Sequence, residues 1–155
     1  MPKILKKKRE QKVVMVSGGF DPIHPGHTRY FKEAKKLGDK LVVVINNDHW
    51  IRLKKGQGFM SAKDRAEVIS AFRDVDEVII SKHKKNTKDM SVCEDILAIR
   101  PHIFANGGDR KIDNVPEVDV CRQINCKMVF NVGKGGKIRS SSELLKNYKI
   151  KSSNK

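Results

Sequence analysis

Five short runs rich in apolar residues, separated by longer amphipathic stretches, dominate the hydropathy pattern of this chain. An unbroken run such as Leu41 to Ile45, which Asp39 and Lys40 introduce, is typical of a strand buried on both faces of a parallel sheet. The runs predict strands at residues 12–17, 41–45, 75–80, 102–105 and 127–130. Apolar positions at helical spacing between the runs predict helices at residues 25–37, 62–72, 90–99, 116–124 and 140–148.

The predicted strands and helices alternate along the whole chain, without an internal repeat. This alternation predicts an α/β fold in a single domain, with a Rossmann-like, doubly wound sheet of five parallel strands. The domain is expected to cover residues 12–148, between a basic N-terminal tail at 1–11 and a basic C-terminal tail at 149–155. Irregular connections are predicted at residues 49–60, 82–88 and 133–137.

Much of the net charge of +15 lies at the two ends of the chain. Residues 1–12 carry +5 and residues 146–155 carry +4, so less than half of the excess belongs to the body of the domain. A nucleic-acid-binding protein more often concentrates its positive charge in one patch interleaved with aromatic residues. The ends therefore predict solvated tails, and nucleic acid is not the expected partner. A site for a polyanionic ligand accounts for part of the remaining charge.

The cysteine and hydropathy patterns argue against a secreted or membrane-bound protein. Cys93, Cys121 and Cys126 form an odd set without the spacing of a metal site, which predicts buried or free thiols rather than a disulfide framework. No apolar stretch approaches the ~20 residues of a membrane span. The apolar run that follows the basic start is too short for the core of a signal peptide. A cytoplasmic protein without a membrane partner is therefore expected.

The turn at residues 18–27 joins the carboxyl end of the first predicted strand to the amino end of the first predicted helix. It contains three glycines and two prolines, and backbone N–H groups and the helix dipole converge on anions at such a junction. His24 and His27 flank a Pro-Gly pair, and a helix that begins at this pair places both imidazoles near one anion. Zinc ligation by Asp21 and the two histidines is a weaker alternative, because no further cysteine or histidine has a suitable spacing.

The stretch from Gly18 to His27 resembles the His-x-Gly-His signature of the cytidylyltransferase-like nucleotidyltransferases. Members of this family transfer a nucleotidyl group from a nucleoside triphosphate to a phosphorylated acceptor and release pyrophosphate. The resemblance implies that His24 and His27 hold the triphosphate and stabilise the transition state, and that Mg²⁺ bridges phosphate oxygens. It covers most of the chain, from about residue 13 to residue 147.

The resemblance also implies three groups of nucleotide-binding residues. In the turn, the backbone N–H groups of Gly18, Gly19 and Phe20 cradle the α-phosphate. Asp21 either acts on the metal through water or braces the turn. Residues 140–142 stand where the family usually has a Ser-Thr-Thr triplet, and they either bind phosphate or only cap a helix. The third group follows the fourth predicted strand, where glycines allow close approach of a base or form a simple tight turn. The remaining candidates are Gly26, Asn106, Gly108, Asp109, Ser140, Ser141 and Ser142.

Four cationic residues are further candidates on the same resemblance. A segment similar to the family's mobile Arg-x-x-Lys-Gly loop offers either Lys54 or Lys55 as the lysine that reaches the phosphates. Arg139 adds positive charge at the β- and γ-phosphates. Arg65 and Asp48 are the acceptor-binding candidates, although Arg65 taken alone is more typical of a solvated helix residue.

Two branches of the family compete for the substrates. Similarity to heptose-phosphate adenylyltransferases at residues 52–54 and 107–109 favours ATP and a sugar phosphate such as heptose 1-phosphate. Glycerol-3-phosphate cytidylyltransferases are similar in length and in residues 38–43, which favours CTP and a phospho-alcohol. A nucleotide-binding module without turnover is the alternative of a different class, and the intact histidine pair and serine triplet argue against it. A homodimer is compatible with the short chain.

Overall fold

All five strands of the computed structural model lie parallel in one sheet. The structure describes residues 8–108, 110, 115–133 and 140–153. The strands are β1 Val13–Gly18, β2 Lys40–Ile45, β3 Glu77–Ile80, β4 Ile103–Ala105 and β5 Lys127–Val129. Their order across the sheet is β3-β2-β1-β4-β5. The predicted α/β class, the single domain and the five-stranded parallel sheet are therefore confirmed.

Helices fill the connections between the strands. They are α1 Pro25–Lys35, α2 Asp48–Lys55, α3 Ala62–Ser70, α4 Cys93–Ile99, α5 Val118–Gln123 and α6 Ser141–Ser153. The start of α3 is fixed by Ser61, whose hydroxyl accepts a hydrogen bond from the Asp64 N–H at 3.1 Å, as expected of an N-cap. Across the described ranges, every helix is too short or too polar to span a membrane.

Most predicted boundaries agree with the observed ones within one residue, five differ by two or three residues, and one differs by more. The last helix continues to Ser153 instead of ending near residue 148. The other shifted boundaries are the ends of α1 and α3 at Lys35 and Ser70, and the starts of β3, α4 and α5 at Glu77, Cys93 and Val118.

The prediction of an irregular segment at residues 49–60 is wrong, because α2 occupies the first half of it. Asn47 caps this helix with its side-chain oxygen, which accepts a hydrogen bond from the Trp50 N–H at 3.0 Å. Gly56 ends the helix with a φ of 79°. Among the eight residues of α2, the buried one is Ile51. The sequence therefore lacks the apolar periodicity that marks a longer helix.

Two apolar clusters lie on opposite faces of the sheet. Alternate residues of β1 divide between them, since Val14 and Val16 pack with α1 and α3 whereas Met15 packs with α4 and α5. Phe31 of α1 and Ile96 of α4 are fully buried, each in its own cluster. Helices therefore cover both faces. The strand order reverses between β1 and β4, and a ligand site is expected there at the carboxyl edge.

The segment before β1 is tied to the opposite edge of the sheet. The Asp39 carboxylate accepts hydrogen bonds from the Lys12 N–H at 2.8 Å and from the Arg9 guanidinium at 3.0 Å. A Cβ atom at Gly38 would lie 2.7 Å from both the Lys12 carbonyl oxygen and a Val14 methyl group. The close approach of this segment therefore requires glycine at position 38.

Candidate functional site

A cavity of about 480 Å³ opens at the carboxyl edge of the sheet. The turn after β1 lines it with His24 and His27. One wall comes from α1 and the segments that follow β4 and β5, and includes Tyr30, Gly107 and Gly133. The other wall comes from α2 and the segments that precede α4 and α5, and includes Trp50, Met90, Val92 and Glu117.

The two histidines stand at the start of α1 with their imidazole rings stacked, the ring centroids 3.7 Å apart. His24 is the N-cap residue, and its Nδ1 accepts a hydrogen bond from the Gly26 N–H at 3.1 Å. The His27 Nδ1 in turn accepts a hydrogen bond from the His24 N–H at 3.2 Å. A neutral imidazole that accepts at Nδ1 carries its proton on Nε2. The backbone thus fixes both rings as Nε2–H donors at a helix amino terminus.

The His27 imidazole is neutral well below neutral pH. Burial first, and then the neighbouring His24 and Lys55, lower the pKa of His27 to about 3. The Phe20 ring packs edge-on against His27, with the centroids 4.9 Å apart, and contributes to that burial. His27 is therefore suited to donate a hydrogen bond to a phosphate oxygen, and not to carry a proton or a full positive charge.

We expect the His27 ring to remain neutral in solution from about pH 8 to about pH 5. The unfolded ring takes up a proton near pH 6.5 and the folded ring only near pH 3, so the free energy of unfolding falls as the pH drops through that window. An NMR titration of the imidazole Cε1–H resonances tests this, with the His27→Gln spectrum as the assignment control. A His27 midpoint near the ordinary value would contradict a buried, neutral His27.

Two glycines of the turn leave room for the rings. A Cβ atom at Gly26 would lie 2.8 Å from Cε1 of His24, and one at Gly18 would lie 2.8 Å from Cζ of Phe20. Phe20 itself adopts a φ of 51°, in the left-handed region. Gly18, Gly19, Phe20 and Gly26, which the sequence proposes as nucleotide-binding residues, all line the cavity.

Asp21 is buried beneath the turn and braces a loop. Its Oδ2 accepts a hydrogen bond from the Phe59 N–H at 2.7 Å, and its Oδ1 accepts one from the Met60 N–H at 2.8 Å. Of the two roles considered for this residue, bracing fits, although the braced segment is the one before α3. Because Asp21 is 1% exposed and each of its oxygens accepts a backbone N–H, the geometry favours the bracing role over contact with a metal. No cluster of three or more His, Cys, Asp or Glu suited to a metal ion is found among the described residues.

Lys54 and Lys55 end α2 and reach different surroundings. Lys54 lines the same cavity as the histidines. The Lys55 ammonium donates a hydrogen bond to the Asp21 carbonyl oxygen at 3.3 Å, and burial lowers its pKa. Both lysines also line a second cavity of about 460 Å³, together with Ser142, Lys146 and Lys149. The geometry therefore associates Lys54 with the histidine pair. We call the second, lysine-lined cavity beside it the basic annexe.

Arg65 is a buried strut and not a solvated helix residue, since its side chain is 1% exposed. Its Nη1 donates to the carbonyl oxygens of Gly19 and Asn46, both at 2.7 Å. Its Nε donates to the Met60 carbonyl oxygen at 3.1 Å, and its Nη2 pairs with the Asp48 carboxylate at 3.0 Å. The guanidinium is thus directed at the protein's own backbone. For Arg65 these contacts favour a role in positioning the ends of β1 and β2 over contact with the acceptor. The Asp48 side chain is 51% exposed, and its contact with the acceptor stays a prediction.

The candidates that follow β4 lie at the cavity. Asn106 and Gly108 both line it, and Gly108 has a φ of 64°. The Asn106 side-chain oxygen accepts a hydrogen bond from Nη1 of Arg110 at 3.3 Å. Asp109 and Arg139, the other two candidates, lie outside the described residues.

The serine triplet brings the amino end of α6 against the histidine turn. Ser141 Oγ donates a hydrogen bond to the Pro22 carbonyl oxygen at 2.8 Å. Ser140 Oγ accepts one from the Glu143 N–H at 3.4 Å, so the capping interpretation fits Ser140. Ser142 lines the basic annexe. The serine triplet therefore lies close to the cavity, because Ser141 is hydrogen-bonded to the turn that lines it.

Sequence reasoning missed Tyr30, Trp50 and Glu117 as cavity residues. The Tyr30 hydroxyl donates to the Ala105 carbonyl oxygen, and burial raises the tyrosine pKa. Trp50 lies in the segment wrongly predicted to be irregular, and its Nε1 donates to the Met90 carbonyl oxygen at 2.9 Å. A single tryptophan in a polar segment was the signal available for it, whereas Tyr30 is hidden in the apolar face of a helix.

The model of the cytidylyltransferase-like family matches residues 15–151 of this chain. FAD synthase from Pyrococcus horikoshii is 40% identical over 101 residues, which are 64% of this chain and 65% of that enzyme. The bifunctional protein HldE from Desulfatibacillum aliphaticivorans is 32% identical over 126 residues, which are 80% of this chain and 24% of that protein. The chain therefore corresponds to only part of each of these two relatives.

A solved structure shares the fold. The lipopolysaccharide core biosynthesis protein from Thermoplasma volcanium superimposes with a TM-score of 0.66 at 30% sequence identity. The superposition covers 81% of this chain and 100% of that one. The similarity thus extends over most of this chain.

Proposed function

The chain belongs to the cytidylyltransferase-like family, the nucleotidyltransferases that its histidine turn resembles, and on that premise we propose its reaction. The protein transfers a nucleotidyl group from a nucleoside triphosphate to a phosphorylated small molecule and releases pyrophosphate. The observation that carries this proposal is the stacked histidine pair, in which His24 and His27 are both fixed as Nε2–H donors beside the amino end of α1. Donors held in advance at such a point stabilise the charge that develops on phosphate oxygens.

The proposed reaction is an in-line displacement at the α-phosphorus. An oxygen of the acceptor phosphate forms a bond to that phosphorus, the bond to the bridging oxygen of the β-phosphate breaks, and pyrophosphate leaves with the electron pair. His24 and His27 donate to oxygens of the α- and β-phosphates. Lys54 and the basic annexe neutralise the departing pyrophosphate. No covalent intermediate on the protein is needed, so its work is positioning and charge stabilisation.

In this proposal, magnesium enters the site bound to the nucleotide substrate. The carboxylate of Asp21 is buried beneath the turn and accepts two backbone N–H groups, so we assign it no contact with the metal. A divalent cation bound to the triphosphate oxygens would enter with the nucleotide and add charge stabilisation to that of the histidines and Lys54.

The acceptor in this proposal is a phosphate ester that bears hydroxyl groups. FMN is such an ester, and the FAD synthase relative supports it with ATP as the nucleotide. A sugar phosphate such as heptose 1-phosphate is the acceptor that the sequence favours, and the lipopolysaccharide core biosynthesis protein supports that class. Glycerol 3-phosphate with CTP is the third combination.

We expect the purified protein to release pyrophosphate with magnesium, one nucleotide and one acceptor. ATP and CTP are tested separately against FMN, sugar 1-phosphates, glycerol 3-phosphate and phosphocholine, and mass spectrometry identifies the nucleotidylated product. Reactions without acceptor control for plain hydrolysis of the nucleotide. Tight nucleotide binding without pyrophosphate from any pair would favour a binding module, and absence of nucleotide binding would overturn the proposal.

A further inference from the structure

Glu117 is a buried carboxylate that lines the cavity. It lies in the wall formed by α2 and the segments that precede α4 and α5. Its side chain is about as inaccessible as the core residues, at 1% exposure, yet it lines the cavity. One oxygen, Oε1, accepts a hydrogen bond from the Val92 N–H at 3.2 Å. The other, Oε2, is buried and has no hydrogen-bond partner among the described residues. A buried carboxylate oxygen without a donor is costly, so a ligand that brings the donor gains affinity from it.

A second unsatisfied acceptor belongs to the same cavity. Asn46, at the end of β2, is buried and lines the cavity, and its Oδ1 also lacks a partner within the described ranges. Its backbone carbonyl is held by Arg65, so the position of the residue is fixed. Two acceptors without donors in one cavity match a ligand with at least two O–H or N–H groups.

The placement of Glu117 favours the acceptor substrate over the nucleotide. The wall that carries Glu117 also holds Trp50, Met90 and Val92. The opposite wall is built of Tyr30 and backbone close to it, since a Cβ at Gly107 or Gly133 would come within 3.3 Å of that tyrosine. A flat wall of glycine backbone suits a base and ribose. With the base and ribose on that wall, the wall that carries Glu117 is left for the acceptor.

We propose that Glu117 selects the acceptor, with its Oε2 accepting a hydrogen bond from a hydroxyl group of a polyhydroxylated phosphate ester. The inference rests on the proposed function and specifies its acceptor. A carboxylate repels a second phosphate and accepts only from donors, so it distinguishes hydroxyl-bearing esters from plain alkyl phosphates. Asn46 contributes a neutral acceptor, which suits a second hydroxyl group and does not balance a cation.

The test compares the affinities of phosphate esters with and without hydroxyl groups. Mannose 1-phosphate, glycerol 3-phosphate and FMN are the hydroxyl-bearing probes, and n-propyl phosphate and phosphocholine are the probes without hydroxyl groups. Dissociation constants are measured by calorimetry on the full chain saturated with the unreactive α,β-methylene analogue of ATP or CTP. Binding is thereby separated from turnover.

The variant is Glu117→Gln, and Glu67→Gln on the exposed face of α3 is the matched control. Glutamine keeps an oxygen for the Val92 N–H but replaces the second acceptor with an N–H₂ donor. We expect Glu117→Gln to weaken binding of at least one hydroxyl-bearing probe about 10- to 100-fold, the range for a hydrogen bond to a charged group. Binding of n-propyl phosphate and of the nucleotide analogue should be unchanged, and Glu67→Gln should behave as wild type.

Other outcomes overturn the inference in distinguishable ways. Equal weakening of all probes, with a lowered melting temperature, would show that Glu117 only supports the fold through Val92. Selective weakening of phosphocholine would identify a site for cationic acceptors, and weakening of the nucleotide analogue would place Glu117 on the nucleotide side. Failure of every hydroxyl-bearing probe to bind wild type would also overturn it. A wild type that binds these probes but never releases pyrophosphate would refute the proposed function and leave the affinity comparison to decide Glu117.

Discussion

His27→Ala is expected to lower kcat about 100- to 1,000-fold, the loss typical of removing one preorganised donor from a transition state. The His27 Nε2–H is held in place because Nδ1 accepts the His24 N–H and the Phe20 ring packs against the imidazole. Alanine removes the donor and also releases its partner ring from the stack. The KM for the nucleotide should change less than kcat, because the donor acts most strongly on the charge that develops during transfer.

One control variant replaces His27 with a side chain that keeps an N–H donor at a similar distance from the backbone. His27→Gln retains an N–H group and should recover part of the lost rate, whereas His102→Gln changes a histidine at the other edge of the sheet and should leave kcat near wild type. The His102 Nδ1 accepts the Val13 N–H, so its replacement reports on structure alone. Melting temperatures of all variants separate loss of fold from loss of chemistry. Equal kcat values in His27→Ala and wild type would show that His27 does not stabilise the transition state.

Arg65→Met is expected to lower the free energy of unfolding by about 3–5 kcal/mol, the cost of breaking a buried charged network from one side. The change deprives the carbonyl oxygens of Gly19, Asn46 and Met60 of a donor whose side chain is 1% exposed. The long apolar side chain of methionine fills most of the volume, so the loss reports on hydrogen bonds more than on a cavity. Chemical denaturation followed by circular dichroism gives the free energy.

The matched control is Arg73→Met, which removes an exposed guanidinium from the segment after α3 and should shift stability by less than about 0.5 kcal/mol. Arg65→Lys should fall closer to Arg65→Met than to wild type, because one ammonium cannot reach the four acceptors that the planar guanidinium spans. A small effect of Arg65→Met would mean that the network contributes little and that Arg65 is available to a ligand.

Sequence patterns located the strands and helices of the fold and the histidine turn that lines the cavity. Alternating apolar runs and helical stretches are local signals, and they were enough for the parallel sheet and for the turn that carries His24 and His27. The same locality explains the failure at α2, whose one buried residue and side-chain cap leave no periodic trace. It also explains why the sequence alone indicates a solvated residue at Arg65, since the carbonyl groups that accept its hydrogen bonds come from distant segments.

The sequence by itself determined the fold class, the family resemblance and the position of the histidine turn, because each depends on neighbouring residues and their spacing. Only the tertiary structure decided which polar groups are engaged and which are left for a ligand. It commits Asp21 to the loop before α3, turns Arg65 inward and separates Lys54 from Lys55. It also leaves the Glu117 oxygen in the cavity wall without a donor among the described residues. Burial and hydrogen bonding are properties of segments brought together from distant parts of the chain, so no local pattern records them.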